Sequence, residues 1–158
     1  MRSLAVFDID GVLADVAHRV HLIDGRRKDW RAFFDAAVDD PLLPEGSALA
    51  TEAARDCEVV YLTGRPERCR RETLRWLRQH CLPDGDLHMR PEHDRQPAVR
   101  LKPKVLGRIA AGRVVAVVVD DDLRVCDAYE ARGWNVLRAT WADRPDALES
   151  AQEVEGRT

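Results

Sequence analysis

Two aspartates separated by one residue follow an apolar run near the start of the sequence. The stretch VFDIDGVLAD places Asp8 and Asp10 where a buried strand is expected to give way to a loop. A carboxylate at the end of a buried element costs several kcal/mol unless another group compensates its charge. The pair therefore predicts a charged site that also holds a cation or basic side chains.

Three further groups of polar residues occupy comparable positions. Residues 63–65, with the sequence Thr-Gly-Arg, follow a second apolar run, and residues 120–122 are three aspartates that end the run VVAVVV. Lys102 and Lys104 are expected to open the helix before that run. The carboxyl ends of the strands in a doubly wound sheet converge where the strand order reverses. We therefore expect all four groups to meet.

Such a meeting would create a site for phosphate chemistry. Carboxylates 4 Å apart repel each other by roughly 4 kcal/mol at an effective dielectric constant near 20, so a cation must neutralise them. Because the donors are oxygens, with no cluster of thiolates or imidazoles, Mg²⁺ is favoured over zinc. With metal and lysine present, Asp8 can attack phosphorus, and Asp10 can protonate the leaving oxygen and later activate water.

Each polar residue also has a structural interpretation. Lys104 is best explained as a solvated charge and Asp122 as a helix N-cap. Arg65 differs from the other arginines of the basic segment 65–78 because it lies in the Thr-Gly-Arg loop, where we expect it to contact substrate phosphate. Arg68, Arg71, Arg75 and Arg78 share one face of the predicted helix and form a basic stripe that could hold flanking phosphates. A solvated face is the simpler explanation for Arg70, Arg75 and Arg78.

The elements that position these residues follow a βα alternation. The predicted strands are Leu4–Ile9, Glu58–Leu62, Leu87–Met89, Val114–Val119 and Trp134–Leu137, and the predicted helices are Ser47–Arg55, Glu67–Cys81, Pro103–Ala111 and Leu123–Ala131. The unbroken run VVAVVV is typical of a strand covered on both faces. We therefore predict an α/β fold with three layers and a central parallel sheet of about five strands.

Two segments depart from this alternation. Residues 15–45 contain Trp30, Phe33 and Phe34 at helical spacing but no strand, and they are interpreted as a small helical cap inserted after the first strand. The Trp30 and Phe33 side chains themselves are expected to dock this helix on the core. The segment 143–158 is acidic and is expected to be a poorly ordered tail. Residues 1–142 then form a single domain.

The four motifs resemble those of the haloacid dehalogenase superfamily of phosphatases, in the correct order along the chain. The resemblance implies a Rossmann-like fold, Mg²⁺ as cofactor and an aspartyl-phosphate intermediate on Asp8. It further implies that Asp10 is the acid/base and offers its carbonyl to the metal, and that Thr63 binds the phosphoryl group. Lys102 would tie that group to Asp8. The last motif would supply Asp121 as a metal ligand with Asp120 beside it, and Gly64 with Arg65 would bind substrate phosphate.

Within the superfamily, the Thr-Gly-Arg motif, the basic helix and the stretch LHMRPEHDR resemble the phosphatase domain of phage-type polynucleotide kinase-phosphatases. This implies removal of 3'-phosphates from nucleic acid ends during nucleic acid repair. Two departures are visible: no kinase P-loop motif is present, and PAVRL before Lys102 lacks an acid. The alternatives are a small-molecule or nucleotide phosphatase of the same mechanism, or a phosphate- or RNA-binding module without catalysis.

The composition bounds the remaining possibilities. The 158 residues are 45% hydrophobic and 34% charged, with a formal net charge of -3, as in soluble globular proteins. No apolar run reaches the roughly 18 residues of a membrane span, and Met1 leads directly into an acid-bearing strand instead of a secretory signal. We therefore expect a cytoplasmic protein with a phosphate-ester substrate and no membrane partner. No stable protein partner can be inferred.

Overall fold

The computed structural model describes residues 1–143 and 145–155, with side chains described up to residue 151. Five strands form one parallel sheet in the order β3-β2-β1-β4-β5. The strands are β1 (Ser3–Phe7), β2 (Cys57–Pro66), β3 (Gly85–Arg90), β4 (Val115–Asp120) and β5 (Val136–Arg138). The predicted parallel sheet of about five strands is confirmed.

Six α-helices accompany the strands within the described part of the chain. They are α1 (Trp30–Asp35), α2 (Pro44–Ala53), α3 (Arg70–Gln79), α4 (Ala98–Ile109), α5 (Leu123–Glu130) and α6 (Asp146–Glu155). Short 3-10 helices occupy Ala17–Leu22, Ala36–Asp39 and Glu67–Cys69. Consecutive residues of β1 face opposite layers: Ala5 and Phe7 belong to one apolar cluster, whereas Leu4 and Val6 belong to the other. This alternation produces the three layers expected from the sequence.

The strand order reverses between β1 and β4, because the chain runs from β1 outward through β2 to β3 and then crosses to β4 on the other side of β1. Phe7, the last residue of β1, is in register with Tyr61 and with Val119. The loops after β1, β2 and β4 consequently leave the same edge of the sheet. In open α/β sheets this edge, at the point of reversal, is where ligands bind.

Helix α4 begins earlier than the sequence suggested. It starts at Ala98 instead of Pro103, which lies inside the helix. Pro103 cannot donate a backbone hydrogen bond to the preceding turn. The extension is nevertheless stabilised because Ala98, Leu101 and Leu106 are buried on one face. Lys102 therefore does not open the helix but projects from its second turn into the protein.

The C-terminal segment also differs from the expectation of a poorly ordered tail. Residues 146–155 form α6, and Leu148 and Ala151, which are one helical turn apart, are buried in the same apolar cluster as Phe7. The packing of these two apolar side chains explains why an acidic segment is helical here. Residues 144 and 156–158 lie outside the described residues. None of the described helices is long and apolar enough to cross a membrane.

Candidate active site

The first strand delivers Asp8 to the carboxyl edge of the sheet. The backbone N–H of Asp8 donates to the Val119 carbonyl at 2.9 Å, which continues the pairing with β4. The Asp8 side chain is 3% exposed, and its Oδ1 accepts the Ile9 N–H at 2.8 Å. Its second oxygen, Oδ2, lies 2.9 Å from Lys102 Nζ. The carboxylate is thus held in one orientation by backbone and lysine together.

Lys102 bridges two motifs that lie more than a hundred residues apart. Its Nζ forms ion pairs with Asp8 Oδ2 at 2.9 Å and with Asp120 Oδ2 at 2.8 Å. The side chain is 1% exposed, and burial by itself would disfavour the charge. The attraction of Asp120 and Asp8 outweighs this effect, so the pKa of Lys102 is raised well above its ordinary value. Lys102 therefore remains a cation beside Asp8.

Three buried carboxylates form a cluster at the ends of β1 and β4. Asp8, Asp120 and Asp121 each offer an oxygen, and these three oxygens lie within 4.8 Å of one another. Burial raises the pKa of Asp8 well above its ordinary value despite Lys102, and neighbouring acids raise it further. One lysine does not balance three acids. A hard divalent cation with oxygen ligands fits this donor set and would supply the missing charge.

Gly11 provides the space for the Asp121 carboxylate. Its φ of +77° lies in the left-handed region, and a Cβ on this residue would be 2.2 Å from Asp121 Oδ2. Only glycine satisfies both conditions without strain. The glycine of the Asp-x-Asp-Gly motif is therefore needed for the Asp121 carboxylate of the last motif to pack against it.

Two buried arginines bind one oxygen of the Asp10 carboxylate. Its Oδ1 accepts hydrogen bonds from Arg19 Nη2 at 2.9 Å and from Arg65 Nε and Nη2 at 2.9 and 2.6 Å. Its Oδ2 is also buried and has no hydrogen-bond partner among the described residues. Burial would raise the pKa of Asp10, but Arg19 and Arg65 outweigh it and hold this pKa below its ordinary value. One oxygen is thus fixed, and the other is available for proton transfer.

Asp40 completes this network from the inserted segment. Its Oδ1 accepts from Arg19 Nε at 2.8 Å, and its Oδ2 accepts from Arg19 Nη2 at 2.8 Å and Arg65 Nη2 at 3.0 Å. His18 Nε2 lies 2.7 Å from Asp40 Oδ1. The Asp40 backbone carbonyl is also bound, because Trp76 donates to it at 2.9 Å. Two arginines and two aspartates therefore form a buried quartet whose charges balance.

The Arg65 side chain does not occupy the position expected for a phosphate ligand. It is 1% exposed and donates to the carboxylates of Asp10 and Asp40 and, at 3.4 Å, to Thr73 Oγ1. A guanidinium that binds two carboxylates has little donor capacity left for a substrate oxyanion. Its placement indicates that it positions Asp10.

The Thr-Gly-Arg loop occupies the end of β2, where the pairing with β3 is interrupted between Leu62 and Pro66. Thr63 is 2% exposed, and its Oγ1 accepts the Arg65 N–H at 3.2 Å. The carbonyl of Gly64 accepts from Arg90 Nε at 3.3 Å. The roles of Thr63 and Gly64 in phosphate binding stay predictions.

The structural interpretations of Asp122 and Lys104 agree with the structure. Asp122 is the N-cap of α5, where its carboxylate accepts the Arg124 N–H at 3.0 Å, and Lys104 is exposed. In the basic segment, Arg70 and Arg71 pair with Glu67 and Glu72 respectively. The pairing of Arg70 agrees with the solvated face expected for it, and Arg71, a member of the basic stripe, is exposed and paired as well.

Two residues of the quartet are absent from the sequence-based site. Arg19 had a detectable signal, because Val16, Arg19, Val20 and Ile23 follow helical spacing and place an arginine on an apolar face; all four are buried. Asp40 had none, since it lies beside an exposed aspartate in an irregular segment. Its contacts depend on how the insertion packs.

The sheet topology and the aspartate motifs define a haloacid dehalogenase-type phosphatase, as the sequence indicated. Residues 2–143 match the family model for the polynucleotide kinase PNKP phosphatase domain. This match covers most of the sequence, and the chain belongs to that family. No curated protein matches the sequence significantly.

Solved structures support the same fold. A chain of the Pnkp1/Rnl/Hen1 RNA repair complex shares 22% identity with a TM-score of 0.72, over 90% of this chain and 44% of its own. This chain thus spans less than half of that relative. A haloacid dehalogenase-like hydrolase from Streptococcus pneumoniae shares 14% identity with a TM-score of 0.62, over 96% and 91% of the two chains. An enzyme from Bacteroides thetaiotaomicron, solved with magnesium and inorganic phosphate, shares 10% identity with a TM-score of 0.54, over 94% and 99%.

Proposed function

We propose that this protein is a Mg²⁺-dependent phosphomonoester hydrolase that removes 3'-phosphates from nucleic acid ends through an aspartyl-phosphate on Asp8. The observation that carries the proposal is the convergence of Asp8, Lys102, Asp120 and Asp121 at one sheet edge, with Asp10 oriented beside them. A binding module without catalysis would not need an acid held by two arginines with one oxygen left without a hydrogen bond. The family match supports the phosphatase assignment.

The metal site would be formed by the carboxylates of Asp8 and Asp121, with Asp120 beside them and the carbonyl of Asp10 as a further ligand. When bound, Mg²⁺ supplies the positive charge that allows a carboxylate and a phosphate dianion to approach each other. Lys102 lies against Asp8 and Asp120 and adds a fixed positive charge to the same place. The Thr63 hydroxyl and the N–H groups of its loop would bind the transferring phosphoryl group.

The two aspartates then divide the chemistry. Asp8 forms the bond to phosphorus, and the bond from phosphorus to the 3'-oxygen breaks. Asp10, when protonated, donates its proton from Oδ2 to that leaving oxygen. It then takes a proton from the water that hydrolyses the aspartyl-phosphate, releasing inorganic phosphate and restoring Asp8. Arg19 and Arg65 keep Asp10 oriented through both steps.

Two observations support a nucleic acid end as the substrate. The family is that of a polynucleotide kinase phosphatase domain, and the Pnkp1 relative was solved as part of an RNA repair complex. Arg31, Arg68, Arg90 and Arg95 also line a cavity beside the Thr-Gly-Arg loop, which suits a ligand with several phosphates. The enzyme would then act in nucleic acid repair in the cytoplasm.

The proposal is tested by two assays with purified protein and Mg²⁺. The first compares the wild type with Asp8→Asn on an aryl phosphate; turnover by the wild type alone is expected. Equal, negligible turnover by both would favour a binding module. The second compares a 3'-phosphorylated oligonucleotide with mononucleotides, and a clear preference for mononucleotides would overturn the nucleic acid assignment.

A further inference from the structure

A cavity of about 350 Å³ lies between the inserted segment and the loops that follow β2 and β3. We call it the cap-side cavity; its walls include Trp30, Arg31 and Phe34 from α1, Pro66 after the Thr-Gly-Arg motif, Arg90 at the end of β3 and Arg95 in the loop that follows. Its volume falls within the range of small-ligand pockets. No residue of the four motifs lines it.

The cavity adjoins the candidate active site through two residues. Pro66 directly follows the Thr-Gly-Arg motif, and Arg90 Nε donates to the Gly64 carbonyl at 3.3 Å. Arg90 is further fixed by bonds from Nη1 to the carbonyls of Asp94 and Gln96. The wall is therefore attached to the loop that would hold the transferring phosphoryl group. A substrate anchored at Thr63 would need only a short extension to reach the cavity.

Trp30 provides an aromatic surface in this cavity. Its ring stacks on Phe34 with centroids 5.9 Å apart and an interplanar angle of 25°, and it meets the edge of Phe33 at 5.6 Å. Trp30 is partly exposed, whereas both phenylalanines are buried. These contacts hold the indole in place and leave part of it accessible from the cavity. Such a platform suits the stacking of a nucleobase.

Some arginines of the cavity do not form close ion pairs with carboxylates of the described residues. Arg68 is paired with Asp35, but Arg95 is exposed and has no charged partner among the described residues. The Arg31 side chain is 85% exposed and only distantly paired, at 3.9 Å from Asp35. Two cations beside an aromatic ring match the charge and shape of a nucleotide.

Four arginines (Arg31, Arg68, Arg90 and Arg95) and two acids (Glu92 and Asp94) line the cavity, so its wall carries a net positive charge. Glu92 Oε2 accepts the Arg68 N–H at 3.1 Å. Both oxygens of Asp94 are bound by Gln96, through its backbone N–H at 2.8 Å and its side-chain amide at 3.3 Å. Each acid is thus engaged in local hydrogen bonds that order the loop after β3.

We infer that the cap-side cavity binds the nucleotide next to the phosphorylated end, with its base stacked on Trp30 and its backbone phosphate held by Arg95 and Arg31. This inference rests on the proposed function and identifies the substrate as a strand of at least two nucleotides. The enzyme distinguishes such a strand from a mononucleotide by contacts outside the four motifs.

The test compares kcat/KM for a 3'-phosphorylated oligonucleotide with kcat/KM for an aryl phosphate. Trp30→Leu and Arg95→Glu are expected to lower the ratio of the two values about tenfold each, while Trp30→Phe stays near the wild type because it keeps an aromatic face. Arg95→Glu should also reduce the salt dependence of oligonucleotide turnover. Arg108→Glu, an exposed arginine on α4, is the matched control and leaves the ratio unchanged.

An unchanged ratio in both Trp30→Leu and Arg95→Glu overturns the inference while the proposed function stands. If the wild type turns over neither substrate, the proposed function fails. Fluorescence anisotropy with the labelled oligonucleotide then tests separately whether the cap-side cavity binds nucleic acid. Weaker oligonucleotide binding by Arg95→Glu than by Arg108→Glu supports nucleotide binding in the cap-side cavity, and equal binding by the two variants overturns it. Because Arg95 and Arg108 are both exposed, neither substitution is expected to impair folding.

Discussion

The backbone of Gly11 lies so close to the carboxylate of Asp121 that a Cβ at position 11 would be 2.2 Å from Asp121 Oδ2. Gly11→Ala is therefore expected to displace Asp121, the proposed metal ligand, as well as strain the turn at φ +77°. The prediction is a loss of at least tenfold in apparent Mg²⁺ affinity, measured by the Mg²⁺ dependence of activity and of thermal unfolding.

Gly112→Ala is the matched control, because Gly112 has a similar φ of +72° but a Cβ added there would have nothing within 4 Å. It carries the same backbone strain without the clash. Equal Mg²⁺ affinity in both variants would show that Gly11 serves only the turn.

The pH profile should depend on the leaving group, because Asp10 must be protonated to act as an acid. Arg19 and Arg65 hold the pKa of Asp10 below its ordinary value. The protonated fraction therefore increases as the pH falls toward that pKa. Turnover of a 3'-phosphorylated oligonucleotide, relative to that of an aryl phosphate, should increase from about pH 8 to about pH 6. Identical profiles for the two substrates would exclude Asp10 as the acid for the 3'-oxygen.

Asp40→Asn is expected to change this profile without removing a group of the four motifs. Without the Asp40 charge, Asp10 is the one carboxylate of the quartet that remains to balance Arg19 and Arg65. The two positive charges then lower the pKa of Asp10 further. Oligonucleotide turnover should fall about tenfold or more, and its dependence on pH should move to lower pH, while aryl phosphate turnover falls less. Asp39→Asn, at the exposed neighbouring position, is the control. Equal losses on both substrates with an unmoved profile would mean that Asp40 is needed only for folding.

Lys102→Met tests the balance of charge at the acid cluster. It leaves Asp8 and Asp120 without their cation, and breaking a buried ion pair in this way costs roughly 3–5 kcal/mol of stability. Thermal unfolding should show this loss, and added Mg²⁺ should recover more stability in the variant than in the wild type. Lys104→Met, two residues away and exposed, should change neither quantity. A stable Lys102→Met protein without Mg²⁺ would contradict the assigned pairing.

Features of the fold and site that produce a local pattern in the sequence could be predicted from it. The alternation of apolar strands and amphipathic helices predicts the parallel sheet, and four short motifs predict which residues lie at its edge. The early start of α4 was missed because Pro103 suggests a helix start by its local chemistry, whereas burial of Ala98 and Leu101 decides the boundary. Helix α6 was missed because its acidic composition outweighed the spacing of Leu148 and Ala151.

The arginine–aspartate quartet shows where sequence reasoning ends. A motif identifies Arg65 but not its partner, and an arginine beside a predicted phosphate site suggests a phosphate ligand. The packing of the inserted segment places Arg19 against Asp10, and Asp40 against both arginines. Only this packing shows that the arginines bind an internal acid. Contacts between residues so far apart in the sequence produce no periodic pattern from which they could be predicted.

The central claim is that Asp8 forms a covalent bond to phosphorus, and rapid acid quenching tests it most directly. Asp10→Asn, mixed with Mg²⁺ and an aryl phosphate, should form the intermediate because the aryl group needs no proton, but should hydrolyse it slowly because no base activates water. Mass spectrometry of the quenched protein should find one phosphoryl group on the peptide that contains Asp8, together with a stoichiometric burst of the aryl alcohol. Release of the aryl alcohol with no phosphoryl group on Asp8 would contradict the account.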